Sequence, residues 1–290
     1  MSRSFGFVLV IAGPTPNREI TEMSIFRRAI IVLSLAGFSA SVSAAEVVKI
    51  KPRSGVYLKM LVEVPAEAKT LAILFPGGAG RVKIKNNGEI KGTKGNFLTR
   101  TRHLFVANGI ATALFDAPSD HQDKPGLTFE YRMTEEHAGD IKQAISKLRE
   151  AYPGLAIWMV GTSRGSTSVA NAAANITSGG ADGMVLTSSV GISNRFGGNL
   201  LDFKLEAITT PALVVHHTDD GCAVTPVSGG RDIKARLTGA KASELLEFEG
   251  GDRGTGEGSG RGCGAQSHHG FLGIEQKVID AISAWIKSHQ

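Results

Sequence analysis

The chain is poor in several things, and each shortage narrows its reading. Cysteine occurs twice in 290 residues, at Cys222 and Cys263, so one pairing is the most that disulfide chemistry can supply. Charge of one sign is scarce as well. Residues 1–44 hold four Lys/Arg and two Asp/Glu, which leaves 28 against 25 of the chain's 32 and 27. A scattered excess of that size is too small to argue for nucleic acid, and no nucleic-acid partner is expected. The apolar run at 29–38 is too short to span a bilayer. No His-Glu-x-x-His pattern is present, and 88–94 has the wrong Gly-to-Gly-Lys spacing for a phosphate-binding loop. What remains is a chain with 42% hydrophobic residues, enough for one large core.

The N-terminus reads as a targeting segment. Arg27-Arg28 is a short basic start, 29–38 is the apolar run, and Val42-Ser43-Ala44 before Ala45 fits a small-residue cleavage site. The expected organisation is an upstream extension plus cleavable signal peptide at 1–44 and a single domain at 45–290. Cleavage would leave a mature chain of about 246 residues without a stable membrane anchor, periplasmic or secreted. A retained anchor is the alternative. Residues 1–22 are out of place before a signal peptide, so Met23 is expected to be the true start.

The most informative stretch is 156–165. A short apolar run ends in Gly161-Thr162-Ser163-Arg164-Gly165, and a segment of small residues follows to 176. Strand, sharp turn and helix in that order are the setting in which Gly-x-Ser-x-Gly presents a reactive serine, with small neighbours tolerating a strained backbone. A plain Gly/Ser turn is the competing reading. Context favours a nucleophile at Ser163, because an acid and a histidine follow it in the order Ser, Asp, His.

Strands are expected at 47–50, 56–64, 71–75, 109–115, 156–160, 183–186, 211–217 and 244–248. An amphipathic helix is expected at 135–152, where Ile141, Ala144, Ile145 and Leu148 recur at helical spacing, and another after 274. Alternation of strands and helices argues a parallel sheet with helices on both faces. The connection 190–210 is too short for an inserted lid, so a minimal cap is expected. Residues 81–102 carry seven Lys/Arg against one Glu and read as a solvated loop, with a basic rim for an anionic substrate as the alternative.

The loop after 71–75 is Pro76-Gly77-Gly78-Ala79-Gly80, where missing side chains leave backbone N–H groups approachable. Gly78 and Arg164 are the expected oxyanion donors. The strand at 211–217 runs into His216-His217-Thr218-Asp219-Asp220-Gly221-Cys222. Asp220 is preferred to Asp219 as the orienting acid because it adjoins the turning glycine. His269 is the expected general base and His268 its rival. Cys222 lies two residues after Asp220 and Cys263 six before His269, so a disulfide between them would tie the acid loop to the base loop.

With Phe75-Pro76-Gly77-Gly78, Gly161-Thr162-Ser163-Arg164-Gly165, Asp220 and His269-Gly270-Phe271 in place, residues 56–288 resemble the α/β-hydrolase superfamily. The chain looks most like its small exported, dienelactone-hydrolase-like members. The resemblance implies an α/β-hydrolase fold, an eight-stranded, mostly parallel sheet, and an acyl-enzyme mechanism without cofactor. Pro76-Gly77 stands where that group usually has His-Gly, and Ser163 where a dienelactone-type enzyme has cysteine. The expectation is therefore a carboxylesterase-like serine hydrolase acting on a small-molecule ester, with oligomeric state left open. Two alternatives stand beside it. One is a metal-dependent hydrolase using His216, His217, Asp219, Asp220, His268 and His269. The other is a non-catalytic binding protein on the same scaffold.

Overall fold

The computed structural model describes residues 44–193, 197–254 and 262–290. Eight strands form one sheet: β1 (Glu46–Arg53), β2 (Val56–Glu63), β3 (Thr70–Phe75), β4 (Ala111–Phe115), β5 (Ala156–Thr162), β6 (Gly183–Thr187), β7 (Ala212–His217) and β8 (Ser243–Phe248). Their spatial order is β1-β2-β4-β3-β5-β6-β7-β8. β1 and β2 pair antiparallel, β2 meets β4 antiparallel, and every later pairing is parallel. The central strands β3, β4, β6 and β7 are buried along their whole length. That explains their unbroken apolar runs, since a strand covered on both faces has no polar side to show.

Six α-helices flank the sheet. α1 (Phe97–Ala107) and α6 (Glu275–Ser288) cover one face, where Phe97, Phe105, Val278 and Ile282 pack on Leu74, Val160 and Val215. α3 (Glu135–Ala151), α4 (Arg164–Asn175) and α5 (Val227–Arg236) cover the other, where Ile141, Ile145, Val169 and Ile233 pack on Ile73, Met159 and Val214. The short α2 (Phe129–Arg132) leads into α3. Thr134 caps α3 by accepting the His137 N–H, and Glu135 and Glu136 sit in its first turn, where the helix dipole favours them.

Besides the short α2, two helices depart from the sequence expectation. α1 begins inside the basic run 81–102, which is thus a loop only in its first part. α5 lies in a stretch with little apolar periodicity; its Gly229 and Gly230 are buried, and backbone there approaches Gly191 and His216. The connection after β6 carries two 3-10 turns whose Leu200 and Leu205 are fully buried, so it packs onto the core. Ile192 alone among its described large apolar residues is exposed. Residues 1–43 lie outside the described part, and with them the expected signal segment. Among the described residues no helix is long and apolar enough to cross a membrane.

Candidate active site

Parallel register brings the candidate residues to one edge. Phe75 at the end of β3 pairs with Gly161 near the end of β5, and Thr162 pairs with Thr187 at the end of β6. The loops after β3, β5, β6, β7 and β8 therefore gather where the parallel strands end. Sheets of this kind place their ligand crevice there.

Ser163 caps α4 at φ 53° and ψ −128°. This is a strained conformation for a residue with a side chain. The glycines around it are there for space. A Cβ on Gly165 would stand 1.9 Å from the Phe75 carbonyl oxygen, and one on Gly161 would stand 2.5 Å from the Gly165 carbonyl oxygen. Only glycine lets the start of α4 press this closely on β3 and β5. Gly77 faces the same turn, since its Cβ would lie 2.9 Å from Ser163 Cβ.

The loop carrying Gly77 and Gly78 is held from below by Arg132. This guanidinium is 1% exposed and donates to Ser168 Oγ at 2.6 Å and to the Pro76 carbonyl at 3.1 Å. Among the described residues no carboxylate pairs with it. Burial, with a smaller contribution from Arg164, lowers its pKa to about 9. Arg132 thus holds the loop by its carbonyls from the core side.

On β7 the two histidines are structural. His216 is fully buried, its Nε2 accepts the Ser189 N–H at 3.0 Å, and burial lowers its pKa to about 4. His217 accepts the Asp219 N–H at Nδ1 and donates from Nε2 to the Gly250 carbonyl at 2.7 Å. Its ring stacks on His268 with centroids 4.3 Å apart and planes 9° from parallel.

Asp220 and His269 come together. His269 Nδ1 lies 2.9 Å from Asp220 Oδ2, with the Asp220 side chain fully buried. Asp220 Oδ1 accepts the Cys222 N–H at 2.9 Å, and Oδ2 accepts the Thr225 hydroxyl at 2.8 Å. Thr225 Oγ1 also stands 3.1 Å from His269 Nδ1. Asp219 is exposed, and its carbonyl receives His268 Nδ1 at 3.3 Å. Ser163, His269 and Gly78 line one cavity of about 470 Å³, together with Gly77, Asn96, Gln266 and Cys263.

Cys222 and Cys263 form a disulfide with Cα atoms 4.4 Å apart. It joins the acid loop to the base loop, and Cys263 reaches the cavity wall. Two more side chains fix the base loop. Ser188 Oγ donates to the His269 carbonyl at 2.9 Å, and Arg100 donates to the carbonyls of Gly270 at 2.6 Å and Ala265 at 3.0 Å. Arg100 belongs to the basic run, so part of that charge is structural. Lys83 and Lys85 line a separate concavity with Lys49, Tyr57 and Lys59, so they form no rim on the Ser163 cavity. Asp120 pairs with Arg53 at 3.0 Å, and His121 stacks on Tyr131.

A metal would need open donors. His217, Asp219 and His268 cluster, but both His217 nitrogens are engaged and parallel stacked rings do not aim lone pairs at one point. In the cluster of Asp220, Cys222 and His269, the sulfur is already in the disulfide.

No family model and no curated protein matches the chain. Solved structures do match. A dienelactone hydrolase from Anabaena variabilis ATCC 29413 superposes with a TM-score of 0.60 at 14% identity, over 84% of this chain and 97% of its own. The chain has the α/β-hydrolase fold. A cold-adapted esterase from an Arctic intertidal metagenomic library matches at TM-score 0.55 and 14% identity, over 83% of this chain and 92% of its own. An alpha-beta serine hydrolase homologue from Coxiella burnetii matches at 0.56 and 14%, over 82% and 96%. In this α/β-hydrolase fold, the residues near the candidate site that sequence reasoning missed are Thr225, Arg132, Ser188 and Asn96. Each is a lone polar residue at a helix end or in a loop, and carries no spacing signal that could have marked it.

Proposed function

We propose that the chain is a serine hydrolase that cleaves a small-molecule ester or related acyl bond through an acyl-enzyme. Ser163 Oγ attacks the carbonyl carbon while His269 Nε2 takes its proton and then passes it to the leaving group. Asp220 holds the Nδ1–H and stabilises the imidazolium. The Gly78 and Arg164 N–H groups receive the oxyanion, each donor worth about 3 kcal/mol in the transition state. Water repeats the sequence to release the acid. No cofactor enters.

The observation that carries this reading is the buried Asp220–His269 hydrogen bond, whose His269 lines the same cavity as the strained Ser163. The activities named for the structural neighbours, a dienelactone hydrolase and an esterase, support hydrolysis as the reaction class. The test is hydrolysis of short 4-nitrophenyl esters. Activity that a fluorophosphonate abolishes, that a chelator leaves intact and that Ser163→Ala lacks is expected. Activity lost to the chelator alone would overturn the reading.

The same proposal places the protein outside the cytoplasm, cleaved after Ala44. The Cys222–Cys263 bridge supports an oxidising compartment. A mature N-terminus at Ala45 in the exported protein checks it, and an intact N-terminus with the protein retained inside the cell contradicts it.

A further inference from the structure

The wall beside Ser163 is unusual in what it offers a ligand. Among the described residues no ionisable side chain apart from His269 lines the cavity: the others are glycines, alanines, a bridged cysteine and the neutral Thr93, Asn96, Phe97, Thr162 and Gln266. Phe97 is 1% exposed and packs on Phe271, with centroids 4.9 Å apart, so it adds little open apolar surface. Among the described residues a long acyl chain finds no greasy channel here, and an ionised group finds no counter-charge.

One group is aimed. Asn96 caps α1, and its Oδ1 accepts the Leu98 N–H at 3.1 Å. That bond fixes the amide's orientation, because a helix N–H needs an acceptor, so the oxygen must face the helix and the NH2 must face away. Nδ2 then stands 3.5 Å from the point where a Gly77 Cβ would lie, and that point is 2.9 Å from Ser163 Cβ. Among the described residues no acceptor meets Nδ2. The capping bond thus holds a free donor beside the candidate nucleophile, already oriented before any ligand arrives.

Resting on the serine-hydrolase reading above, we infer that Asn96 is a specificity-determining donor. It selects small, uncharged esters that carry a second hydrogen-bond acceptor within a few bonds of the scissile carbonyl, such as an alkoxy, hydroxy or keto oxygen. An all-carbon ester of the same shape strips water from Nδ2 and returns no acceptor, which is the asymmetry by which polar sites reject apolar isosteres.

The experiment uses two isosteric pairs differing by one oxygen in place of one methylene. They are 4-nitrophenyl methoxyacetate against butyrate for the acyl side, and 2-methoxyethyl acetate against butyl acetate for the alcohol side. Each kcat/KM ratio is divided by the ratio for hydroxide hydrolysis, which removes intrinsic reactivity. The wild type is expected to favour the oxygenated ester by about tenfold in at least one pair. Asn96→Ser keeps a capping oxygen for α1 and removes the amide's reach, and is expected to bring that normalised ratio to about one. Its melting temperature reports that the cap has survived. A wild type labelled by a fluorophosphonate but indifferent within both pairs overturns this inference and leaves the hydrolase reading standing. Equal losses on both members in Asn96→Ser also overturn it, because the amide would then serve the reacting carbonyl common to all esters. A wild type that neither labels nor hydrolyses any of the four esters overturns both.

Discussion

Arg100 Nη2 lies 2.6 Å from the carbonyl oxygen of Gly270, the residue that follows His269. The same guanidinium reaches the carbonyls of Gly95 and Ala265 and pairs with Glu275 at 2.9 Å. One side chain on α1 therefore gathers the cavity's near wall, the base loop and the start of α6. Arg100→Met leaves these acceptors unpaired in a part-buried place. It should destabilise the fold by about 2–4 kcal/mol and lower kcat more than it raises KM. Arg100→Lys should restore little, since a single ammonium cannot span four acceptors. Denaturant melts and ester kinetics on both variants check this.

Thr225 gives a more local prediction. Its hydroxyl touches both Asp220 Oδ2 and His269 Nδ1 and is fully buried. Thr225→Val keeps the shape and removes the hydrogen bond, so kcat/KM should fall about tenfold with little change in fold, while Thr225→Ser should stay within about threefold of the wild type. A Val variant as active as the wild type would show that Asp220 alone orients the imidazole.

Buried His216 sets a pH dependence. Burial lowers its pKa from 6.5 to about 4, so the folded state resists a proton that the unfolded chain accepts. The sign follows: this contribution is whole above pH 6.5 and is lost as pH falls toward 4, amounting to about 3 kcal/mol. His137, fully buried with its pKa pushed well below 6.5 by burial, adds in the same direction. Stability measured from pH 7 to pH 4 should decline. The decline should be shallower in His216→Gln, whose baseline stability is lower but whose side chain does not titrate.

The Cys222–Cys263 bridge closes a loop with a sequence separation of 41. Chain entropy puts its contribution at about 4 kcal/mol, and native strain commonly reduces it. Reductant should lower the melting temperature by about 5–15 °C and slow turnover, because the acid and base loops lose their common tether. If melting temperature and turnover both stay fixed in reductant, the bridge holds nothing that Arg100 and Ser188 do not hold already.

Much of the fold was legible because the central strands are buried on both faces. Runs such as those of β3, β5 and β7 advertise themselves without any alternation. α1 was hidden for the opposite reason. Its buried face includes Thr99 and Thr101, and Arg100 and Arg102 alternate with them, so a solvated basic loop and an amphipathic helix looked alike. α5 packs through Gly229, Gly230 and Ile233, and a single apolar residue beside two glycines makes no periodic hydrophobic signature.

The candidate site was legible where backbone geometry demands a residue type. Gly161 and Gly165 flank Ser163 because a Cβ would collide with backbone, and that constraint shows as a motif. Order along the chain alone does not separate Asp220 from Asp219. The separation lies in burial: the Asp220 side chain is fully enclosed and meets His269, while Asp219 is exposed and lends its backbone to the His217–His268 stack. Thr225 and Asn96 depend on contacts across 44 residues and across a cavity, which no local pattern encodes.

The most direct measurement is intact mass after fluorophosphonate treatment of the folded, oxidised protein, wild type beside Ser163→Ala. The account predicts one covalent adduct on the wild type and none on the variant. An unlabelled wild type, or an adduct that persists in Ser163→Ala, would contradict it and favour a binding protein built on the same scaffold or a nucleophile elsewhere.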